Sequence, residues 1–499
     1  MVRWRYALAV LALLLPVAGA VQCSERPGPP NLVLLVLDDL DVTMGSLGAM
    51  ASARRLAAEG TSFTHYFAST PVCCPSRATM LLGQFAHNHG VLTAAPPLGG
   101  FPRVFASNLE ADALPVALQE AGYRTALLGK YFIGYPGVAG EDYVPPGWDD
   151  WLSPLWGVTY FDYVLNDNGR AVYRGHARAD YSTDVLAERA LEFVRAAERD
   201  DRPFFLLLAP LAPHRPTVPA PRHRNTFPNA RLPRVPSFDE RDVSDKPAYM
   251  KALPRLSRAE IEAYDGMYRG RLQTLPAVDD LVRRLLDTLA RLDLAGRTFV
   301  FLTSDNGFHL GHHRLRAGKA SPYEEDVRLP LLVTGPGVPR GRRLAHLALG
   351  VDLAPTLAEL AGARLARPVD GRSLVPLLGD EAPPPTAFRR VGLLELPAVE
   401  PETAPPAAVA GGGTTLPKRA SGPPQGFAGL RTHRLKYVEH RSGERELYDL
   451  AADPWELRNL AAAAPPETLA RLAGFLRAFA SCRGAGCRQV DRAVIRWPG

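Results

Sequence analysis

Cys73-Cys74-Pro75-Ser76-Arg77 sets two adjacent thiols close to a cation, and an apolar run closed by Gly83 follows. A helix that starts at Pro75 would bring Cys73 and Arg77, four positions apart, near its positive end. That place suits an anion, and it lowers the pKa of a thiol. Taken alone, the segment reads as a buried thiol pair, as a vicinal redox couple, or as a nucleophile with its anion-binding arginine.

Asp38-Asp39 and Asp305-Asn306 supply four hard oxygen donors in two pairs, each after an apolar run. Adjacent carboxylates repel, and a divalent cation is the simplest partner that keeps both ionised. The oxygen-only set favours Ca²⁺ or Mg²⁺ over zinc. By itself such a pair after a strand is more often a turn or helix cap, so the case for a metal depends on the cysteine segment. Asp41 is read as a cap or as support behind the ligands. His309, His312 and His313 form a His-x-x-His-His cluster with no cysteine or third well-spaced carboxylate, and are expected to face solvent or line a wall.

The elements that must position these groups follow from hydrophobic patterning. Continuous apolar runs predict buried strands over Asn31 to Leu37, Tyr123 to Leu128, Pro203 to Ala209 and Thr298 to Thr303, with a fifth over Leu329 to Thr334. Helical patterns fall at Met50 to Glu59, Leu114 to Glu120, Ser182 to Glu198 and Tyr264 to Leu294. Alternation of the two predicts an α/β domain with a mostly parallel sheet. Four of the strands end in polar groups: Asp38 and Asp39, Lys130, His214, and Asp305 and Asn306. Ligands bind beyond the carboxyl ends of such strands, so one crevice is expected to collect all of them.

At 499 residues, 46% of them hydrophobic, the chain can bury a large core and form a main domain with a smaller companion. Residues 1–20 carry Arg3 and Arg5, an apolar run and Ala18-Gly19-Ala20, which reads as a signal peptide. The run is too short for a membrane span. A secreted or periplasmic protein is expected; no Asn-x-Ser/Thr sequon marks it as a glycosylated lysosomal one. Of the five cysteines, Cys482 and Cys487 flank a short loop suited to a disulfide in an exported chain, Cys23 is a weak candidate for lipidation, and the odd count leaves one thiol for another use, assigned to Cys73. The net charge of +6 suits an anionic substrate. The catalytic domain is expected over residues 30–385, a Pro/Gly-rich loop or linker over 386–425, and a C-terminal subdomain over 426–499. In that subdomain Phe427 to Tyr437 and Glu446 to Leu450 read as antiparallel strands, and Pro466 to Phe479 as a closing helix. Neither nucleic acid nor stable membrane insertion is expected.

The Cys73 segment resembles the Cys-x-Pro-Ser-Arg signature of the type I sulfatases. The resemblance extends over His87-Asn88-His89, Gly129-Lys130-Tyr131, Pro146-Gly147-Trp148, Thr303-Ser304-Asp305-Asn306-Gly307-Phe308-His309, Tyr448-Asp449-Leu450 and the Cys482 to Cys487 loop, from about residue 30 to 490. It is similar to the N-acetylglucosamine-6-sulfatase branch, which shares ground with extracellular endosulfatases and some arylsulfatases. The resemblance implies an alkaline-phosphatase-like α/β sheet flanked by helices with a smaller C-terminal α+β subdomain. It implies that Cys73 is converted by a formylglycine-generating enzyme to formylglycine, whose hydrate attacks sulfur. The implied metal ligands are Asp38, Asp39, Asp305, Asn306 and modified Cys73, with Ca²⁺ ahead of Mg²⁺. Arg77 and Lys130 would steady the hydrate and the sulfate, and His214 and Lys319 would face the bridging oxygen. The implied substrate is a sulfated saccharide or an aryl sulfate, with phosphodiester or phosphonate esters and a non-catalytic sulfated-glycan binder as the alternatives. Many arylsulfatases carry a histidine two residues beyond the Lys130-type lysine; here Phe132 stands there, which leaves the base that collapses the intermediate unassigned.

Overall fold

The computed structural model describes residues 28–157, 159–397 and 426–495. The signal peptide, Cys23 and most of the expected linker lie outside the described residues. Ten strands form the main sheet: β1 (Asn31–Leu37), β2 (Thr61–Phe67), β3 (Arg124–Gly129), β4 (Asp150–Pro154), β5 (Tyr163–Asp167), β6 (Arg170–Arg174), β7 (Phe204–Ala209), β8 (Thr298–Ser304), β9 (Arg328–Thr334) and β10 (Arg342–Leu349). Their order is β10-β2-β9-β8-β1-β7-β3-β4-β5-β6. The central run from β8 to β4 is parallel throughout. The β2–β9, β8–β9, β4–β5 and β5–β6 pairs are antiparallel, so the sheet is mixed at its flanks.

β1 explains why the centre reads as unbroken apolar sequence. Val33, Leu35 and Leu37 enter one core and Leu32, Leu34 and Val36 the other, so both faces of the strand are covered. The helices Ser182–Ala197 and Arg258–Arg291 pack on the first face, and the helices Cys73–Leu82, Leu114–Glu120 and Leu353–Ala361 on the second.

Four further strands, β11 (Gly392–Leu396), β12 (Phe427–Arg431), β13 (Leu435–His440) and β14 (Arg445–Asp449), make an antiparallel sheet closed by the helix Pro466–Ala480. The predicted strand from Phe427 to Tyr437 is in fact a hairpin, β12 turning into β13. Part of the stretch expected to be linker from residue 386 is strand, because β11 pairs with β12 and its Leu393 and Leu394 are fully buried. The core under this sheet also takes in Phe67 of β2 and Leu347 and Leu349 of β10, so the smaller unit packs directly on the edge of the main sheet. Cys482 and Cys487 form a disulfide.

Candidate active site

Strand register sets the site. Leu37 of β1 pairs with Ser304 of β8, so Asp38 and Asp305 leave the sheet side by side, and Asp305 N–H donates to the Leu37 carbonyl at 3.1 Å. Gly129 of β3 pairs with Ala209 of β7, and Lys130 N–H donates to the Ala209 carbonyl at 2.8 Å. The crivice predicted from four strand ends therefore forms at the carboxyl edge of the parallel run.

The helix that carries the thiols begins at Cys73, two residues earlier than predicted. Its first intrahelical bond runs from Ser76 N–H to the Val72 carbonyl, so Pro75 lies in the first turn, where no N–H is needed. Gly83, at φ 65°, ends the helix in the left-handed region and donates to the Thr79 carbonyl at 2.9 Å. Cys73 and Cys74 are buried free thiols. A hydrogen bond from Cys74, with the charges of Lys130 and Lys319, holds the Cys73 thiol well below its usual range despite burial and the charge of Asp38. Burial and the same hydrogen bond push Cys74 up, and Cys74 Sγ accepts from Ile133 N–H at 3.3 Å.

The predicted residues converge. Arg77 Nε donates to Asp305 Oδ2 at 2.9 Å, and its Nη1 donates to the Lys130 carbonyl at 2.9 Å. Lys130 Nζ donates to Asp38 Oδ2. Lys319 Nζ donates to Asp39 Oδ1 at 2.6 Å and to Asn306 Oδ1 at 3.1 Å. Asn306 Nδ2 donates to Asp39 Oδ1 at 2.6 Å. Asp305 Oδ1 accepts from the backbone N–H of Asp39 at 3.2 Å and of Asn306 at 2.8 Å. His214 Nε2 lies 3.8 Å from Asp39 Oδ2, while its Nδ1 faces the Arg215 carbonyl at 2.6 Å.

Burial works to raise the Asp39 carboxyl, but Lys319 first, then His214 and Lys130, outweigh it and hold it well below the usual range. Burial works to lower Lys130 and Lys319, and the surrounding acids, Asp38 and Asp39 foremost, keep both raised and charged. Three cations and three carboxylates therefore coexist in one largely buried cluster because each offsets another. Asp38 Oδ1 and Arg77 Nη2 are buried without a hydrogen-bond partner. Asp38, Asp39 and His214 bring ligand atoms within 4.8 Å of one another. A hard-oxygen donor set with an unpartnered buried carboxylate oxygen fits a divalent cation, and an unpartnered guanidinium nitrogen beside Cys73 fits an anion.

One residue behind the site, Arg271, was not legible in the sequence, whereas Asp41 takes the supporting place read for it. Arg271, in the middle of the Arg258–Arg291 helix and fully buried, donates to the Asp39 carbonyl at 2.5 Å and to Asp41 Oδ2 at 3.1 Å. It holds Asp39 in a left-handed backbone conformation, φ 66°; a charged residue on the apolar face of a long helix was its only signal. Asp41 accepts from the N–H groups of Met44 and Ser46 behind the ligands. The histidine cluster corrects the expectation of solvated rings, for all three are buried. His309 Nδ1 donates to Asp326, and His313 Nδ1 to Glu240, at 2.9 and 2.6 Å. Phe132 is buried against the Tyr131 ring, with centroids 4.5 Å apart.

Residues 30–363 match the sulfatase family model. The human N-acetylglucosamine-6-sulfatase is 32% identical over 96% of this chain and 89% of its own length. An arylsulfatase of Chlamydomonas reinhardtii is 32% identical over 97% of this chain and 78% of its own. An extracellular sulfatase homologue of Caenorhabditis elegans is 37% identical over 70% of this chain, which spans only 49% of that relative's length. A solved structure in complex with its substrate D-glucosamine-2-N,6-O-disulfate superposes with a TM-score of 0.73 at 24% identity, covering 93% of this chain and 99% of that one. The chain belongs to the sulfatase family.

Proposed function

We propose that this chain is an exported sulfuric ester hydrolase that acts on sugar 6-O-sulfates of the N-acetylglucosamine-6-sulfate type, with a formylglycine made from Cys73 and a Ca²⁺ ion. The observation that carries the reading is the convergence of Arg77, Lys130, His214 and Lys319 on the Asp38, Asp39, Asp305 and Asn306 donor set, beside Cys73. Export rests on the apolar run of residues 1–20 and agrees with a disulfide between Cys482 and Cys487.

Asp38, Asp39, Asp305 and Asn306 would hold the cation, which offsets negative charge on the sulfuryl oxygens. A hydrated formylglycine at position 73 supplies one hydroxyl to attack sulfur and a second whose proton loss lets sulfate leave and the aldehyde return. Arg77 and Lys130 fix that side chain at the helix start and meet the equatorial oxygens with fixed positive charge. Lys319 holds Asp39 ionised and faces the same oxygens. His214 stands at the solvent side of Asp39, with Nε2 free to hold or release a proton toward the cleft. It donates a proton to the departing alcohol oxygen and, left neutral, takes up the proton of the second hydroxyl. One group thus serves both half-reactions, which Phe132 cannot.

The test is sulfate release from a panel of 6-O-sulfated glucosamines, an aryl sulfate and the matching phosphodiester, using protein co-expressed with a formylglycine-generating enzyme. The reading expects the sugar 6-sulfates to give the highest kcat/KM. Faster turnover of the aryl sulfate would move the assignment to an arylsulfatase, and faster turnover of the phosphodiester would end the sulfatase reading.

A further inference from the structure

A second cluster of metal-ligating groups lies between the segment that carries Lys319 and the C-terminal subdomain. His313, Glu325 and Glu456 are buried, at 0%, 2% and 1% exposure, and bring ligand atoms within 4.8 Å of one another. Each is anchored from behind. His313 Nδ1 donates to Glu240 Oε2 at 2.6 Å, Glu325 Oε1 accepts from Ser237 Oγ at 2.9 Å, and Glu456 Oε2 accepts from Glu324 N–H at 2.9 Å. Of the opposite atoms, His313 Nε2 and Glu325 Oε2 are buried without a hydrogen-bond partner, and Glu456 Oε1 faces Lys436 Nζ.

Two unpartnered buried atoms facing one point are costly unless something occupies that point. A histidine whose rear nitrogen donates to a carboxylate is the arrangement found behind metal-bound imidazoles. His313 Nε2 and Glu325 Oε2 stand 3.8 Å apart, against about 3.4 Å expected between two ligands on a tetrahedral ion with 2.1 Å bonds. Four buried carboxylates, Glu240, Glu324, Glu325 and Glu456, face three buried cations, Lys246, Lys436 and Arg431. Lys436 Nζ pairs with Glu456 Oε1 at 2.6 Å and with Glu324 Oε1 at 3.0 Å and donates to the Pro322 carbonyl at 2.7 Å, so it stands behind the Glu456 carboxylate as a hydrogen-bonding partner.

We propose that His313, Glu325 and Glu456 bind a second divalent cation of the zinc class, distinct from the ion at Asp38, with water as the fourth ligand. One imidazole with two carboxylates suits Zn²⁺ better than Ca²⁺ or Mg²⁺. The ion's role is to fasten the catalytic loop: the Glu325 and Asp326 carbonyls accept from Phe308 N–H at 2.9 Å and Gly307 N–H at 2.8 Å, next to Asn306. Glu456 belongs to the C-terminal unit, so the cation joins that unit to the segment behind the active site. Nothing in this inference depends on the substrate or on the state of Cys73.

The test is elemental analysis of the full chain, purified without nickel resin or chelator, incubated with Zn²⁺ and desalted. The expected result is about one equivalent of zinc besides calcium, with the zinc lost in His313→Gln while calcium stays. Wild-type protein without zinc, or equal zinc in the two proteins, would overturn the proposal. Should His313→Gln fail to fold, Co²⁺ added to chelator-stripped wild-type protein is expected to give the intense visible bands of a four-coordinate site. Only the weak spectrum of six-coordinate Co²⁺ would overturn it.

Discussion

Replacing Arg77 with methionine removes the guanidinium and keeps most of the side chain's volume. Its partner Asp305 is then left fully buried, because the two side chains are 7% and 0% exposed and solvent cannot screen the loss. Asp305 Oδ1 retains two backbone donors, whereas Oδ2 loses the Arg77 Nε bond, and the Lys130 carbonyl loses Nη1. Breaking one side of a buried pair costs about 3–5 kcal/mol, a drop of roughly two to three and a half powers of ten in the folded-to-unfolded ratio. Arg77→Lys restores the charge but reaches only one of the two acceptors, so about half of the loss is expected to return. Urea unfolding of the three proteins at one fixed Ca²⁺ concentration measures this. A change below about 1 kcal/mol for Arg77→Met would refute the argument that the pair is desolvated and structural.

Lys319→Met is expected to lower kcat by about 10²- to 10³-fold. Lys319 is the largest of the charges holding Asp39 low, and a depressed carboxyl stays ionised until pH falls through its pKa; the variant's acid limb in a kcat/KM profile therefore moves to higher pH, and an unmoved limb contradicts the assignment. His87 is half-buried against Glu395, with Nδ1 to Oε2 at 2.9 Å, and that pairing raises its pKa in spite of partial burial. Its contribution is complete below about pH 6.5 and lost as pH rises through the raised value, so the stability gap between wild type and His87→Gln should narrow from pH 6 to 9 in thermal unfolding scans. A Cβ at Gly307 would sit 2.1 Å from the Glu325 carbonyl oxygen; Gly307→Ala should displace Asp305 and Asn306 and lower kcat/KM by about 10²-fold, measured with the fold checked by circular dichroism.

The strands that deliver the site were readable because they are buried on both faces. β1, β3, β7 and β8 form continuous apolar runs, and their polar termini announce the crevice. β2 and β6 carry no clear strand pattern in the sequence because they are partly exposed and mixed in polarity, with His65 in one and charged residues at both ends of the other. β11 reads as linker in the sequence because its five residues border a Pro/Gly-rich stretch, and its partner β12 lies about thirty residues on. Arg271 and the burial of His309 and His313 depend on Asp39, Asp326 and Glu240, contacts made across the fold that no local pattern carries. Asp38, Asp39, Asp305, Asn306 and Arg77 were legible for the opposite reason: each stands at a strand end or helix start, where local sequence fixes its direction.

The central claim is that Cys73 is a precursor and that its conversion makes the nucleophile. The most direct measurement is mass analysis of the peptide holding residue 73, paired with sulfate-ester turnover by the same preparation and by preparations of graded conversion. The expected mass corresponds to loss of H₂S and gain of oxygen at residue 73, with turnover proportional to the converted fraction and absent from Cys73→Ala. Full turnover from protein whose residue 73 is an intact thiol would contradict it.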